Sequence, residues 1–161
     1  MKKSIHTSFF CTTILAATLL TFSAGCSNYL HPHSAYRPVH EYATAGDIGR
    51  VTSELAAHST VINLPDDAGL TPLHLAVLHC HTNVVALLIE DGADINRKGN
   101  GGVTSLHLAA QEGCIDGATM LLAKGAKVNP HDDKGWTPLK RAELWHKTAM
   151  IQFLREHGGT E

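Results

Sequence analysis

Aromatic side chains make up only 6 % of this 161-residue chain, which argues against a large sheet sandwich with an aromatic core. Neither sign of charge prevails. The formal net charge is −2, so the basic excess expected of a nucleic-acid surface is missing. The apolar run Phe9 to Phe22 falls short of the roughly 20 residues that span a bilayer. Catalytic signatures are missing too: there is no Gly-x-Ser-x-Gly, no His-Glu-x-x-His and no phosphate-binding loop, each of which would have marked a specific chemistry. What is present is enough apolar material, 43 %, for one core, together with 14 glycines and 12 histidines. That mixture suits short helices separated by tight turns.

The first residues are set apart from the rest. Met1-Lys2-Lys3 precedes the apolar stretch, and the small residues Ser23-Ala24-Gly25 lead to Cys26. A basic start, an apolar segment and a small-residue cleavage site make an export signal. The Ser-Ala-Gly-Cys ending resembles the bacterial lipoprotein signal, in which the cysteine is acylated and becomes the mature N-terminus. Ser23 departs from the commoner leucine at that position, with Leu19 and Leu20 lying earlier. The resemblance implies residues 1–25 as signal peptide, lipid on Cys26 and, with Ser27 next, sorting to the outer membrane. Several acyl chains, at about 0.8 kcal/mol per buried CH₂, would hold such a chain at the membrane permanently. Residues 26–35, with Pro32 between His31 and His33 and no apolar period, read as a solvated tether.

Beyond the tether the chain repeats itself. Gly69-Leu70-Thr71-Pro72-Leu73-His74-Leu75-Ala76 recurs as Gly102-Val103-Thr104-Ser105-Leu106-His107-Leu108-Ala109 and again as Gly135-Trp136-Thr137-Pro138-Leu139-Lys140-Arg141-Ala142, at a step of 33 both times. Gly92-Ala93-Asp94-Ile95-Asn96 recurs at the same step as Gly125-Ala126-Lys127-Val128-Asn129. A fixed period in this range marks a stack of like units. Thr71, Thr104 and Thr137 stand where a hydroxyl can cap a helix, and Pro72 and Pro138 occupy the first helical position. His74 and His107, three residues after the cap, can bond back as the acid of a capping box does. A first helix is predicted to run to about Cys80 or Gly113. A second carries Val84, Val85, Leu87 and Leu88, or Ile115, Ala118, Met120 and Leu121. Gly92, Gly125 and Gly158 fit the left-handed position that ends it. Segments such as Asn63 to Gly69 and Asn129 to Gly135 supply turn chemistry.

These motifs closely resemble the ankyrin repeat, with its G-x-T-P-L-H-x-A opening and G-A-D-x-N close. The resemblance covers residues 36–161 and implies an all-α solenoid of four helix-turn-helix repeats, about 36–68, 69–101, 102–134 and 135–161. The first copy is worn: Arg37-Pro38-Val39-His40 echoes the motif at a step of 34, Tyr42 falls in the slot of Ala76, and one extra residue lies in the second half. The last copy has Lys140 in place of His. Terminal repeats tolerate such wear because one side faces water. Gly117, in the slot of Val84 and Met150, costs about 1 kcal/mol in mid-helix and makes the third repeat the soft one.

The resemblance further implies a non-enzymatic monomer without cofactor, which binds protein through its turn tips and the inner face of its first helices. Carried over by position, the tips are Asp67, Ala68 and Leu70, then Asn100, Gly101 and Val103, then Asp133, Lys134 and Trp136. The inner positions are Leu78 and His79, Gln111 and Glu112, and Leu144 and Trp145. Trp136 and Trp145 are candidate hot spots, or else covers for the last turn and the C-terminal end. His79-Cys80-His81 suggests the alternative of metal or haem handling, although neighbours on a helix point apart. Cys80 and Cys114 lie on adjacent repeats, one residue out of step. With helices packed about 10 Å apart, beyond the 7 Å Cα spacing that a bridge tolerates, two free and largely buried thiols are expected. The function that results is a protein-binding module anchored in the periplasm, serving as scaffold or as an immunity-like inhibitor.

Overall fold

The computed structural model describes residues 38–161; the stretch read as an export signal, Cys26 and the stretch read as a tether lie outside them. Among the described residues eight α-helices follow in pairs: α1 (Pro38–Ala45) with α2 (Ile48–Ala57), α3 (Pro72–Leu78) with α4 (Thr82–Glu90), α5 (Ser105–Glu112) with α6 (Ile115–Ala123), and α7 (Pro138–Leu144) with α8 (Thr148–Glu156). Among the described residues there is no strand. The first helices α1, α3, α5 and α7 pack side by side in one layer, and α2, α4, α6 and α8 form the second.

The apolar periodicity of each helix faces the other layer. Val84, Val85 and Leu88 of α4, Ala118 and Leu121 of α6, and Met150 and Leu154 of α8 are fully covered, at the three- and four-residue spacing that keeps side chains on one helical face. Leu73, Ala76 and Val77 of α3 and Leu106, Ala109 and Ala110 of α5 meet them from the first layer. Each helix is too short to hold together alone in water, so this shared core is what stabilises it.

The worn first repeat keeps the geometry. Its extra residue lengthens α2, which has ten residues where α4, α6 and α8 have nine. Tyr42 is half-buried in the first repeat, and the Arg50 guanidinium lies 5.5 Å from its ring centre.

Candidate functional site

Two ladders of hydrogen bonds tie the repeats together, and both start from residues of the motif: histidines cross the second and third junctions and asparagines cross all three. The Thr71 N–H donates to His74 Nδ1 at 3.2 Å, and the Thr71 hydroxyl lies 2.8 Å from the same nitrogen. Because Nδ1 accepts, the proton belongs on Nε2, which donates to the Val103 carbonyl of the next repeat at 3.3 Å. Thr104 and His107 repeat the arrangement, His107 Nε2 reaching the Trp136 carbonyl at 2.9 Å. Burial holds both imidazoles below their ordinary pKa of 6.5, against the carbonyl bonds that favour the charged form. At Thr137, where the partner is Lys140, the hydroxyl accepts from the Lys140 N–H and donates to the Thr160 carbonyl at 2.6 Å.

The second ladder is made of asparagines. Asn63 Oδ1 accepts from the Asp94 N–H at 2.7 Å and Asn96 Oδ1 from the Lys127 N–H at 2.9 Å. Asn129 Oδ1 accepts from the Thr160 N–H at 2.9 Å. Asn96 and Asn129 also donate, through Nδ2, to the carbonyls of Gly125 and Gly158. The sequence suggested local turns at these positions; the bonds in fact span repeats, 29 or 31 residues apart.

With the stack registered in this way, the inner positions line one edge. Leu78 and His79, Gln111 and Glu112, and Leu144 and Trp145 stand at the C-terminal ends of α3, α5 and α7. Leu144 and Trp145 are the most open of these apolar side chains, at 45 % and 56 % exposed. His79 and Glu112 are exposed, while Leu78 and Gln111 are half-buried. Of the tip residues, Asp67, Asn100, Asp133 and Lys134 face water. Leu70 and Val103 are half-buried and pack on the core, and Trp136 is half-buried with the Lys134 ammonium 4.6 Å above its ring. Of the two tryptophans, Trp145 is the one left open.

The tips themselves stack tightly. Gly102 sits at a φ of 70°, and a Cβ there would meet Asp133 Oδ1 at 2.5 Å. Glycine is required at this tip both by its backbone and by the approach of the next tip.

One member of this edge is not signalled by the motif. Arg141 stands where Leu75 and Leu108 stand in the second and third repeats. Its guanidinium pairs with Asp132 Oδ2 at 2.8 Å and donates to Gln111 Oε1 at 3.0 Å. Asp132 Oδ1 in turn accepts the backbone N–H groups of Lys134 and Trp136. Burial alone would raise the Asp132 pKa, but the Arg141 bond and the two backbone bonds outweigh it and hold the carboxyl below its ordinary value. A charged residue in a slot filled by leucine in the two middle repeats was the available signal.

A model of ankyrin repeats matches the chain in three overlapping copies, over residues 14–99, 39–132 and 98–161. The chain belongs to the ankyrin-repeat family. The first matched span reaches back into the stretch read as an export signal, whereas the described helices begin at Pro38. The repeats are 42 % identical over 64 residues to ankyrin repeat domain-containing protein 13C of Xenopus tropicalis, which covers 40 % of this chain and 12 % of that protein. They are 34 % identical over 67 residues to palmitoyltransferase akr1 of Neurospora crassa, covering 42 % of this chain and 9 % of the transferase. The chain thus spans about a tenth of the length of these curated relatives, and the likeness lies in the repeats alone. Ankyrin stacks are in general non-catalytic modules that bind other proteins.

The histidine cluster is largely spent on this ankyrin framework. His81 Nε2 donates to the Thr44 carbonyl of the preceding repeat at 2.9 Å, which leaves His79, with its ring centre 6.1 Å from that of His81, as the free imidazole of the pair. Among the described residues no three His, Cys, Asp or Glu side chains converge as a metal site would need.

Proposed function

We propose that this chain is a protein-binding ankyrin module tethered to the bacterial cell envelope through lipidated Cys26, holding a periplasmic protein as scaffold or inhibitor. The observation that carries the reading is the exposure of Leu144 and Trp145 side by side at the end of α7. An open tryptophan on a rigid edge gives large contact area at small entropic cost. At the other carried-over positions, His79, Glu112, Asp67, Asn100, Asp133 and Lys134 are exposed polar side chains, of the kind that suits a binding rim. The sequence before Pro38 supports the tether, with its basic start, apolar run and Ser-Ala-Gly-Cys.

The test is affinity capture from a membrane fraction with the wild-type chain and with Trp145→Ala. Loss of one central tryptophan is expected to weaken a partner's binding by about 2 kcal/mol, some 30-fold in Kd, with the melting temperature unchanged because the side chain is exposed. Equal capture by both proteins sinks the assigned face. A palmitate label that persists in Cys26→Ala removes the anchor.

A further inference from the structure

At every junction between repeats the same two positions meet. One is the residue in left-handed conformation that follows a first helix: Gly46 (φ 72°), Cys80 (φ 54°) and Gly113 (φ 81°). The other is the residue that precedes the second helix of the next repeat: His81, Cys114 and Lys147. A Cβ built on Gly46 would lie 2.6 Å from His81 Nδ1, and one built on Gly113 would lie 3.2 Å from Lys147 Cδ. The fold therefore aims the first position at the side chain of the second. At the middle junction both are cysteines.

We propose that Cys80 and Cys114 form a reversible disulfide that latches the second repeat to the third. Both line one surface cavity of about 390 Å³, together with Thr82, Gly113, Ile115 and Asp116. Cys80 is exposed and Cys114 is buried, and both are free thiols. The one-residue offset that the sequence reading counted against a bridge is what brings the pair together, because the left-handed residue projects toward the next repeat's cap. Room for the movement of Cys114 comes from Gly117, whose hypothetical Cβ would stand 3.1 Å from Cys114 Sγ where Val84 and Met150 fill the slot in other repeats. Partial burial, and then the neighbouring Cys114 thiol, push the Cys80 thiol up to about 12, as expected when a second sulfur sits beside it.

The chemistry is thiol–disulfide exchange with a small-molecule disulfide. The Cys80 thiolate attacks one sulfur of the oxidant, forming a mixed disulfide and releasing one thiolate. The Cys114 thiolate then attacks the Cys80 sulfur, closes the protein disulfide and releases the second thiolate. The two cysteines lose two electrons and two protons, which the oxidant carries away as two thiols. Because a thiol with so high a pKa is seldom ionised near neutrality, closure is expected to be slow there and to speed up about tenfold per pH unit.

The full chain is incubated with oxidised glutathione at pH 8.5 and digested by trypsin without reduction. The expected product joins the peptide of residues 51–97, which holds Cys80, to that of residues 99–124, which holds Cys114. The melting temperature should rise on the order of 5–10 °C over the reduced chain, and the rise should vanish in Cys80→Ser. Separate glutathione adducts on the two cysteines, a cross-link between two molecules, or closure without a gain in melting temperature would each overturn the latch.

Discussion

Ser105 stands at the first position of α5, where Pro72 and Pro138 begin α3 and α7, and its Oγ is buried without a partner. A buried hydroxyl that bonds nothing costs about 1–3 kcal/mol, while proline at this position needs no N–H. Thr104 before it is already extended, at φ −100° and ψ 166°, as a residue before proline must be. Ser105→Pro is therefore expected to stabilise the chain by about 1 kcal/mol, read as a shift in the urea midpoint at constant slope. A second residue-scale case is Cys80, which holds a φ of 54° where two other repeats have glycine. Cys80→Gly should relieve about 1 kcal/mol of left-handed strain in the reduced chain, seen by thermal melting under reductant. A loss of stability would show that the cysteine side chain packs more than it strains.

At the scale of elements, what holds one helix pair to the next is as much polar as apolar. Asn96 makes two bonds to the third repeat, to the Lys127 N–H and the Gly125 carbonyl. Asn96→Ala should cost about 1–2 kcal/mol, with the loosening centred on the junction of the second and third repeats, where amide exchange at Lys127 should accelerate most. Uniform acceleration along the chain would mean that the ladder is not what registers these repeats. The capping threonines and histidines, the glycine helix ends and the four helix pairs could all be read from the 33-residue step. That the asparagines bond between repeats rather than within their own turns could not, because hydrogen-bond partners 29 and 31 residues away leave no local trace.

For the molecule as a whole, the ladder of buried histidines ties stability to pH. His74 and His107 are held below 6.5, so the folded chain keeps them neutral while the unfolded chain takes up protons below that value. Their contribution is complete above about 6.5 and is lost as the pH falls, at up to about 1.4 kcal/mol per pH unit for each histidine. Chemical denaturation at pH 7.5 and 5.5 should show the drop, and His107→Gln should flatten it. Asp132 acts in the same direction but in a lower window, since its depressed pKa removes stability only as the pH falls through the carboxylate range. Whole-molecule exposure also decides between the two tryptophans, because only the assembled stack covers Trp136 with its own turn and Lys134 while leaving Trp145 open.

The sequence by itself determined the repeating unit, its caps and its breaks. These depend on neighbours within a few residues: a threonine before a proline, a glycine after a helix, apolar side chains three and four apart. It also placed the inner edge and the tips, since a fixed step carries any position to its counterpart. Only the tertiary structure decided which of those positions remain open, that Arg141 is drawn to Asp132 and Gln111, and that Cys80 faces Cys114. Those outcomes arise at the junctions, where residues far apart in the chain compete for the same few ångströms, and a periodic pattern says nothing of what fills them.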